Sequence, residues 1–347
     1  MVDHRPMRWE DLDAVVDVRN RACLADGLPI VTDAGELREE LDSLDLDLGL
    51  DTRVALVDGV VVGYAYVHHI PSEVRVERCY VFGDVDPPWR RHGVGSTLLA
   101  WGAGRARVLV DRADHDLDRW VMADCPATAT ETRRLFERSG FVPVRWFDQL
   151  LRPLTDLPEP APLHGVRIER WPDDRDDEIR AVKDAAFADH WGSTPTTETG
   201  WTTMVRGFGA RPDLSFVAVV DGSTWVEAGT DVGTDVGTDV AARQSLPEGT
   251  WHDGQIIGHC LSKRFEADDA ITGRRDGWID NLGTRAEWRG RGVASALIAA
   301  ALQAFVEDGL SHACIDVDSD SPTGARRLYR SLGFEPWQAR ITFRLDT

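Results

Sequence analysis

The feature that most narrows what this chain can fold into is an internal repeat. Trp89-Arg90-Arg91-His92-Gly93-Val94-Gly95 is matched by Trp288-Arg289-Gly290-Arg291-Gly292-Val293-Ala294, and Leu135-Phe136-Glu137-Arg138-Ser139-Gly140-Phe141 by Leu328-Tyr329-Arg330-Ser331-Leu332-Gly333-Phe334. The two motifs keep their order and a similar gap in both copies, which is the signature of a duplicated structural unit. At 347 residues the chain also exceeds what one typical core supports. Between the copies, residues 153–162 carry four prolines in ten positions. Proline continues neither a helix nor a central strand, so this stretch reads as a linker. The expected organisation is one domain over 1–153, a linker over 154–163 and a second domain over 164–347.

Each copy opens with a helical pattern, at 11–25 and 176–190. A hairpin follows. In the first copy it spans 53–57 and 60–67 around Asp58-Gly59, a tight-turn dipeptide. In the second, a strand at 215–220 ends at Asp221-Gly222 and resumes at 255–261. The intervening insert, near 223–253, repeats Gly-Thr-Asp-Val three times over 229–240. So polar and glycine-rich a stretch has nothing to bury and is expected to be a disordered excursion of the hairpin. Next come a strand at 278–282, an Arg/Gly loop, and a helix at 293–306 that is apolar nearly all round and therefore buried. A strand at 313–317, a helix at 325–332 and a strand at 340–345 complete an α/β layered domain.

The formal charge of −20 disfavours nucleic acid and anionic membranes as partners. It also makes a polyanionic ligand costly unless arginines gather at its site. Five scattered cysteines and ten histidines show no metal-ligand spacing, so neither a disulfide framework nor a metal is expected. Residues 1–13 lack a basic start with an apolar run, and the apolar segment 293–306 is too short to span a bilayer, so the expected location is cytoplasmic.

Arg289–Ala294 follows a strand and opens a helix, and its glycines let backbone N–H groups turn toward a ligand. The helix N-terminus adds roughly half a positive charge. Arg285, Arg289 and Arg291 supply further charge, which suits a pyrophosphate. The loop has neither the Gly-Lys-Ser/Thr ending of a Walker loop nor the G-x-G-x-x-G dinucleotide fingerprint.

Read together, the hairpin, strand, Arg-x-x-Gly-x-Gly/Ala loop, buried helix, strand, and helix with Leu-Tyr/Phe before Gly-Phe resemble the GNAT N-acetyltransferase superfamily. Both copies show the pattern, over nearly the whole chain. The resemblance implies two tandem GNAT-like domains, each a mixed, mostly antiparallel sheet flanked by helices. It implies acetyl-coenzyme A as cosubstrate, held by Leu282, Thr284 and residues 289–294 (Arg289, Gly290, Arg291, Gly292, Val293, Ala294), and by Arg90, Gly93 and Gly95 in the first copy. It also implies transfer of the acetyl group to a primary amine of a small molecule, and the acid-rich composition favours a cationic acceptor. The doubled layout is similar to that of the mycothiol synthases, which acetylate the amine of a cysteinyl pseudo-disaccharide. A non-catalytic acyl-coenzyme A sensor is the reading from another class.

An amine of pKa near 10.4 must lose a proton to attack at neutral pH, a handicap of roughly 4–5 kcal/mol. Asp280, on the strand before the loop, is the candidate base or else a structural acid. Family analogy also gives that strand's backbone N–H groups the role of polarising the acetyl carbonyl. Tyr329 matches the tyrosine that protonates the leaving thiolate in many family members, or it packs in the core. In the first copy these positions are Phe136 and Val81, neither of which can exchange a proton, so that copy is expected to be catalytically degenerate while keeping its phosphate loop. His190, Trp191 and Trp201 are candidates for holding a cationic acceptor, or for packing, and Glu198 for pairing with its amine.

Overall fold

Alternating apolar residues and well-placed turn chemistry build each half in the expected order. The structure, a computed structural model, describes residues 2–44, 46–159, 163–224, 247, 250–321 and 324–345. The first half runs β1 (Asp3–Arg5), α1 (Leu12–Ala25), α2 (Ala34–Ser43), α3 (Leu48–Asp51), β2 (Thr52–Val57), β3 (Val60–Ile70), β4 (Val76–Val85), α4 (Val94–Val110), β5 (Asp118–Pro126), α5 (Thr130–Arg138) and β6 (Phe141–Pro153). The second runs β7 (Val166–Arg170), α6 (Asp176–Ala186), α7 (Glu198–Arg206), β8 (Phe216–Val220), β9 (Ile256–Arg264), α8 (Asp269–Thr272), β10 (Asp276–Thr284), α9 (Val293–Glu307), β11 (His312–Asp318), α10 (Ala325–Ser331) and β12 (Glu335–Leu345). The β2–β3 turn takes positive φ at both Asp58 (49°) and Gly59 (81°), the twist that a two-residue hairpin needs. The Gly-Thr-Asp-Val repeat at 229–240 lies outside the described residues.

The strands form one twelve-stranded sheet in the order β1-β2-β3-β4-β5-β12-β6-β11-β10-β9-β8-β7. Only β4–β5 and β10–β11 pair in parallel; the other neighbours are antiparallel. Helices flank the sheet, and α9 buries most of its surface against β8–β11, as its uniform apolarity requires.

The order holds something the repeat did not announce. Each half's last strand completes the other half's sheet. β6 pairs with β11 from His312↔Pro153 to Asp318↔Phe147, while β12 pairs with β5 from Arg340↔Pro126 to Leu345↔Val121. The two exchanged strands pair with each other at the centre. The cores follow: Ile341, Phe343 and Leu345 pack with Phe136 and Phe141 of the first half, and Leu150 joins the core around α9.

One further feature positions the site. The β10–β11 pairing stops at Ile279↔Ile315, although β10 runs on to Thr284 and β11 to Asp318. The same split opens in the first half after Tyr80↔Met122. Among the described residues, no helix is long and apolar enough to cross a membrane.

Candidate active site

The split in the second half leads into a cleft of about 350 Å³. β10 supplies Leu282, Gly283 and Thr284; the loop and the start of α9 supply Arg289, Gly290, Gly292, Val293 and Ala294; α10 supplies Tyr329; and the end of α6 with the segment after it supplies Ala186, Phe187 and His190. Gly290 and Gly292 adopt φ of +74° and +84°, a backbone that lets the loop reverse into the helix. No side chain caps α9, so the N–H groups of its first turn remain available to an anion. Thr284 Oγ1 and Trp288 Nε1 are buried here without a partner. The unpaired backbone N–H groups at the start of α9 suit the diphosphate of coenzyme A, within a lining that is otherwise largely apolar (Leu282, Val293, Leu328).

The arginines do not gather as expected. Arg289 turns back: Nη1 and Nη2 donate to Asp189 (2.6 and 3.1 Å), Nη2 to the Ala186 carbonyl (2.7 Å) and Nε to the Thr284 carbonyl (3.3 Å). Arg291 lies over the Trp288 ring, 5.9 Å from its centroid, and Arg285 reaches Glu287 at 3.6 Å. Arg289 is thus committed to Asp189 and to two carbonyls rather than turned toward the cleft.

Tyr329 is buried, with its ring edge-on to Phe334 at 6.2 Å. Burial pushes its phenol well above the ordinary range, so it keeps its proton at neutral pH. The matching Phe136 packs on Phe141 and Phe343 at 5.7 and 5.3 Å.

Asp280 is the extra residue of a bulge, since the β9 register shifts between Ile279 and Asn281. It is exposed, and one oxygen lies 3.4 Å from Lys263 Nζ. Trp278 is beside Cys314 in register, so Asp280 and Asp316 follow on the same face, just past the last paired residues. Asp316 keeps contact with solvent through the mouth of the split, but the protein crowded around it raises its carboxyl. Arg340 and the hydrogen bond from Gln149 oppose that rise, and Asp280 adds to it. The sequence shows Asp316 only as a charge within a strand; the register reveals its neighbour.

His190 lines the cleft, packed on Phe187 at 4.6 Å, and burial lowers its pKa. Trp191 points elsewhere, stacking on Trp120 of the first half at 5.1 Å with Arg145 over its ring. Trp201 lies in the core beneath α6, stacked on Trp171 at 6.1 Å. Glu198 is exposed at the first position of α7. Neither Trp201, Glu198 nor Trp191 is brought into the cleft.

In the first half, a cleft of about 870 Å³ is lined by Arg90, Gly93, Gly95 and Phe136, with Val81 at the split. Its lining also includes polar groups not foreseen from the motifs: Tyr64, which donates to Asp84 at 2.6 Å, and Arg19, which donates to Glu40 behind it at 2.8 Å. Among the described residues there is no group of three or more histidine, cysteine or carboxylate side chains arranged for a metal.

A split parallel pair, an uncapped glycine-led helix at its mouth and a buried phenol meet at this cleft. Comparison with known proteins gives the family. Residues 50–143 match the acetyltransferase (GNAT) domain and residues 237–334 the acetyltransferase (GNAT) family. A mycothiol acetyltransferase of Salinispora tropica is 30% identical over 295 residues, 83% of this chain and 79% of that protein. One of Kocuria rhizophila is 28% identical over 340 residues, 96% and 95% of the two chains. The solved GCN5-related N-acetyltransferase from Sphaerobacter thermophilus superposes with a TM-score of 0.70 at 25% identity, covering 99% of this chain and 95% of that one. The chain belongs to the GNAT acetyltransferase family, as a member with two GNAT domains in tandem. It is an acyl-coenzyme A-dependent acetyltransferase.

Proposed function

We propose that the second half transfers an acetyl group from acetyl-coenzyme A to a primary amine of a small molecule, and that the first half binds without catalysing. The observation that carries this reading is the placement of Tyr329 in the cleft that holds the phosphate loop, with Asp280 and Asp316 on the sheet face at the apex of the split. The amine nitrogen attacks the thioester carbon, the C–S bond breaks, and an amide forms. The amine's proton passes to Asp280, directly or through water, while Tyr329 gives its proton to the leaving sulfur. Backbone N–H groups of Leu282 and Thr284, which alternate away from β9 to the edge of β10 that β11 leaves, stabilise the charge on the carbonyl oxygen. His190 forms part of the acceptor wall, and the neighbouring carboxylates Asp280 and Asp316, outside the lining of the cleft, favour a cationic acceptor. The large first-half cleft, with Arg90, Gly93 and Gly95 in its lining, supports retention of coenzyme A binding there.

A second reading narrows the acceptor to the cysteinyl amine acetylated by the relatives named mycothiol acetyltransferase, one of which matches this chain along 95% of its length. One experiment serves both. Acetyl-coenzyme A is incubated with a panel of small amines that includes cysteinyl glucosaminyl compounds, and acetylated products are detected by mass, because an acceptor thiol would confuse a free-thiol assay. Product from a small amine supports the reading, and product confined to the cysteinyl compounds supports the narrower one. Coenzyme A binding without any product would point instead to an acyl-coenzyme A sensor.

A further inference from the structure

The turned-back Arg289 has a twin. In the first half, Arg90 donates from Nη1 and Nη2 to Asp26 (2.7 and 3.0 Å), from Nη2 to the Ala22 carbonyl (3.5 Å) and from Nε to the Val85 carbonyl (3.3 Å). The set is the same as in the second half: a carboxylate just after the first helix, a carbonyl in that helix's last turn, and the carbonyl of the last residue of the split strand. A bidentate guanidinium–carboxylate pair has strict geometry. Its recurrence in two copies whose surrounding residues have diverged argues that the geometry is kept for use.

The pair joins two working parts. On one side is the phosphate loop. On the other, Asp189 begins the segment 187–197, which carries His190 into the cleft. That segment is pinned at its far end, where Asp184 accepts from the Thr196 N–H (3.1 Å) and hydroxyl (2.8 Å). Between its ends it docks on the first half: Arg75 bonds to the Ala188 carbonyl, Arg78 reaches the Thr194 hydroxyl at 3.2 Å, and Trp191 stacks on Trp120. The hydrogen bonds from Arg289 lower the Asp189 carboxyl, so the pair stays ionised through neutral pH.

We propose that Asp189 and Asp26 are positioning residues. Each acts through its arginine to hold the phosphate loop in binding shape and to fix the wall opposite it, and the arginine is a bracket rather than a ligand of the pyrophosphate. The proposal rests on the coenzyme A reading of both clefts. It makes a prediction opposite in sign to simple electrostatics: removing an acid beside a polyanion should tighten binding, whereas breaking a bracket should loosen it.

The test is calorimetric titration of the full-length protein with coenzyme A. A Gly95→Glu background places a carboxylate in the first-half loop so that the second site is read alone. There, Asp189→Ala is expected to weaken binding about tenfold, Arg289→Ala to a similar degree, and the charge swap Asp189→Arg with Arg289→Asp to recover most of the loss. Asp189→Asn, which keeps hydrogen-bonding capacity, should fall between. In an Ala294→Glu background, Asp26→Ala should repeat the loss at the first site. Melting curves accompany each variant, and the swap guards against a fold defect because it restores the pair with the same residues. Tighter or unchanged binding in Asp189→Ala, or a swap as weak as Arg289→Ala alone, would overturn the bracket while leaving the coenzyme A reading intact. No binding in either background would overturn that reading and the bracket with it.

Discussion

His259 shows at the residue scale how the site is insulated. It lies on β9 opposite Gly283, only 1% exposed, with Nε2 at 2.6 Å from Asn281 Oδ1 and Nδ1 unpartnered. Gly283 has no alternative there, because a Cβ would stand 2.5 Å from the imidazole Cε1. Burial pushes the imidazole down to about 4, so it is neutral at pH 7. The sign follows from linkage. The unfolded chain takes up this proton near pH 6.5 and the folded one only near 4, so the contribution is intact above 6.5 and is lost as pH falls through that window. The loss should approach roughly 3 kcal/mol. Unfolding free energies measured in urea from pH 7 to 4 should therefore drop less steeply for His259→Gln than for the parent; parallel curves would refute the assignment. None of this could be read in the sequence, where His259 is one histidine within an apolar strand. Asp316 and Asp189 were hidden for the same reason, since their partners are brought in by register and tertiary folding. The position of Tyr329 beside the loop was legible because the order of motifs recurs: Leu-Phe-x-x-x-Gly-Phe follows the loop in the first copy, and Leu-Tyr-x-x-x-Gly-Phe follows it after a similar gap in the second.

At the scale of elements, the loop and α9 act together. Gly292 sits at the helix N-cap in the left-handed region, and among the described residues the one atom within 4 Å of a built Cβ is Leu163 Cδ2 at 3.5 Å. Space is therefore available and conformation is the constraint. Gly292→Ala should cost about 1–2 kcal/mol of stability. Because relieving that strain would swing the first-turn N–H groups off their aim, coenzyme A affinity should fall about tenfold as well. A chemical denaturation curve and a ligand titration on the same variant read both, and a destabilised variant with undiminished affinity would separate the loop's shape from its binding. Helices and strands of this layer were largely legible, because apolar period and turn residues are local. The second-half hairpin strands at 215–220 and 255–261 appear as β8 and β9 across the long insert. The direction of Arg289 was not legible: sequence supplies a cation near the loop but not the acid that takes it.

Across the whole molecule, the exchange of β6 and β12 makes the halves interdependent. Motif matching sees two units in series because it follows chain order, and the exchanged strands have patterns that would serve either sheet equally well. The physical consequence is that a change near the C-terminus should be felt in the first half. Phe343, on β12, is 1% exposed and packs edge-on to Phe136. Phe343→Ala should cost about 3–5 kcal/mol. Hydrogen exchange should show protection falling first in β5 and α5, with β10 and α9 less affected; a loss confined to the second half would contradict the exchange. Ion pairs cross the interface so formed: Arg340 meets Asp124 and Arg145 meets Asp318. The proposed asymmetry of function on this symmetric frame rests on one difference: a phenol lines one cleft and a phenyl ring the other.

The most direct test of that asymmetry is the steady-state rate of Tyr329→Phe with an amine that the parent protein acetylates. The account predicts a fall in kcat of about 100-fold or more, with KM for acetyl-coenzyme A little changed, since the substitution removes one proton donor and leaves the loop alone. Phe136→Tyr in the same background should restore nothing. An unchanged kcat in Tyr329→Phe, or recovery on adding the tyrosine to the first half, would contradict the assignment of catalysis to the second half.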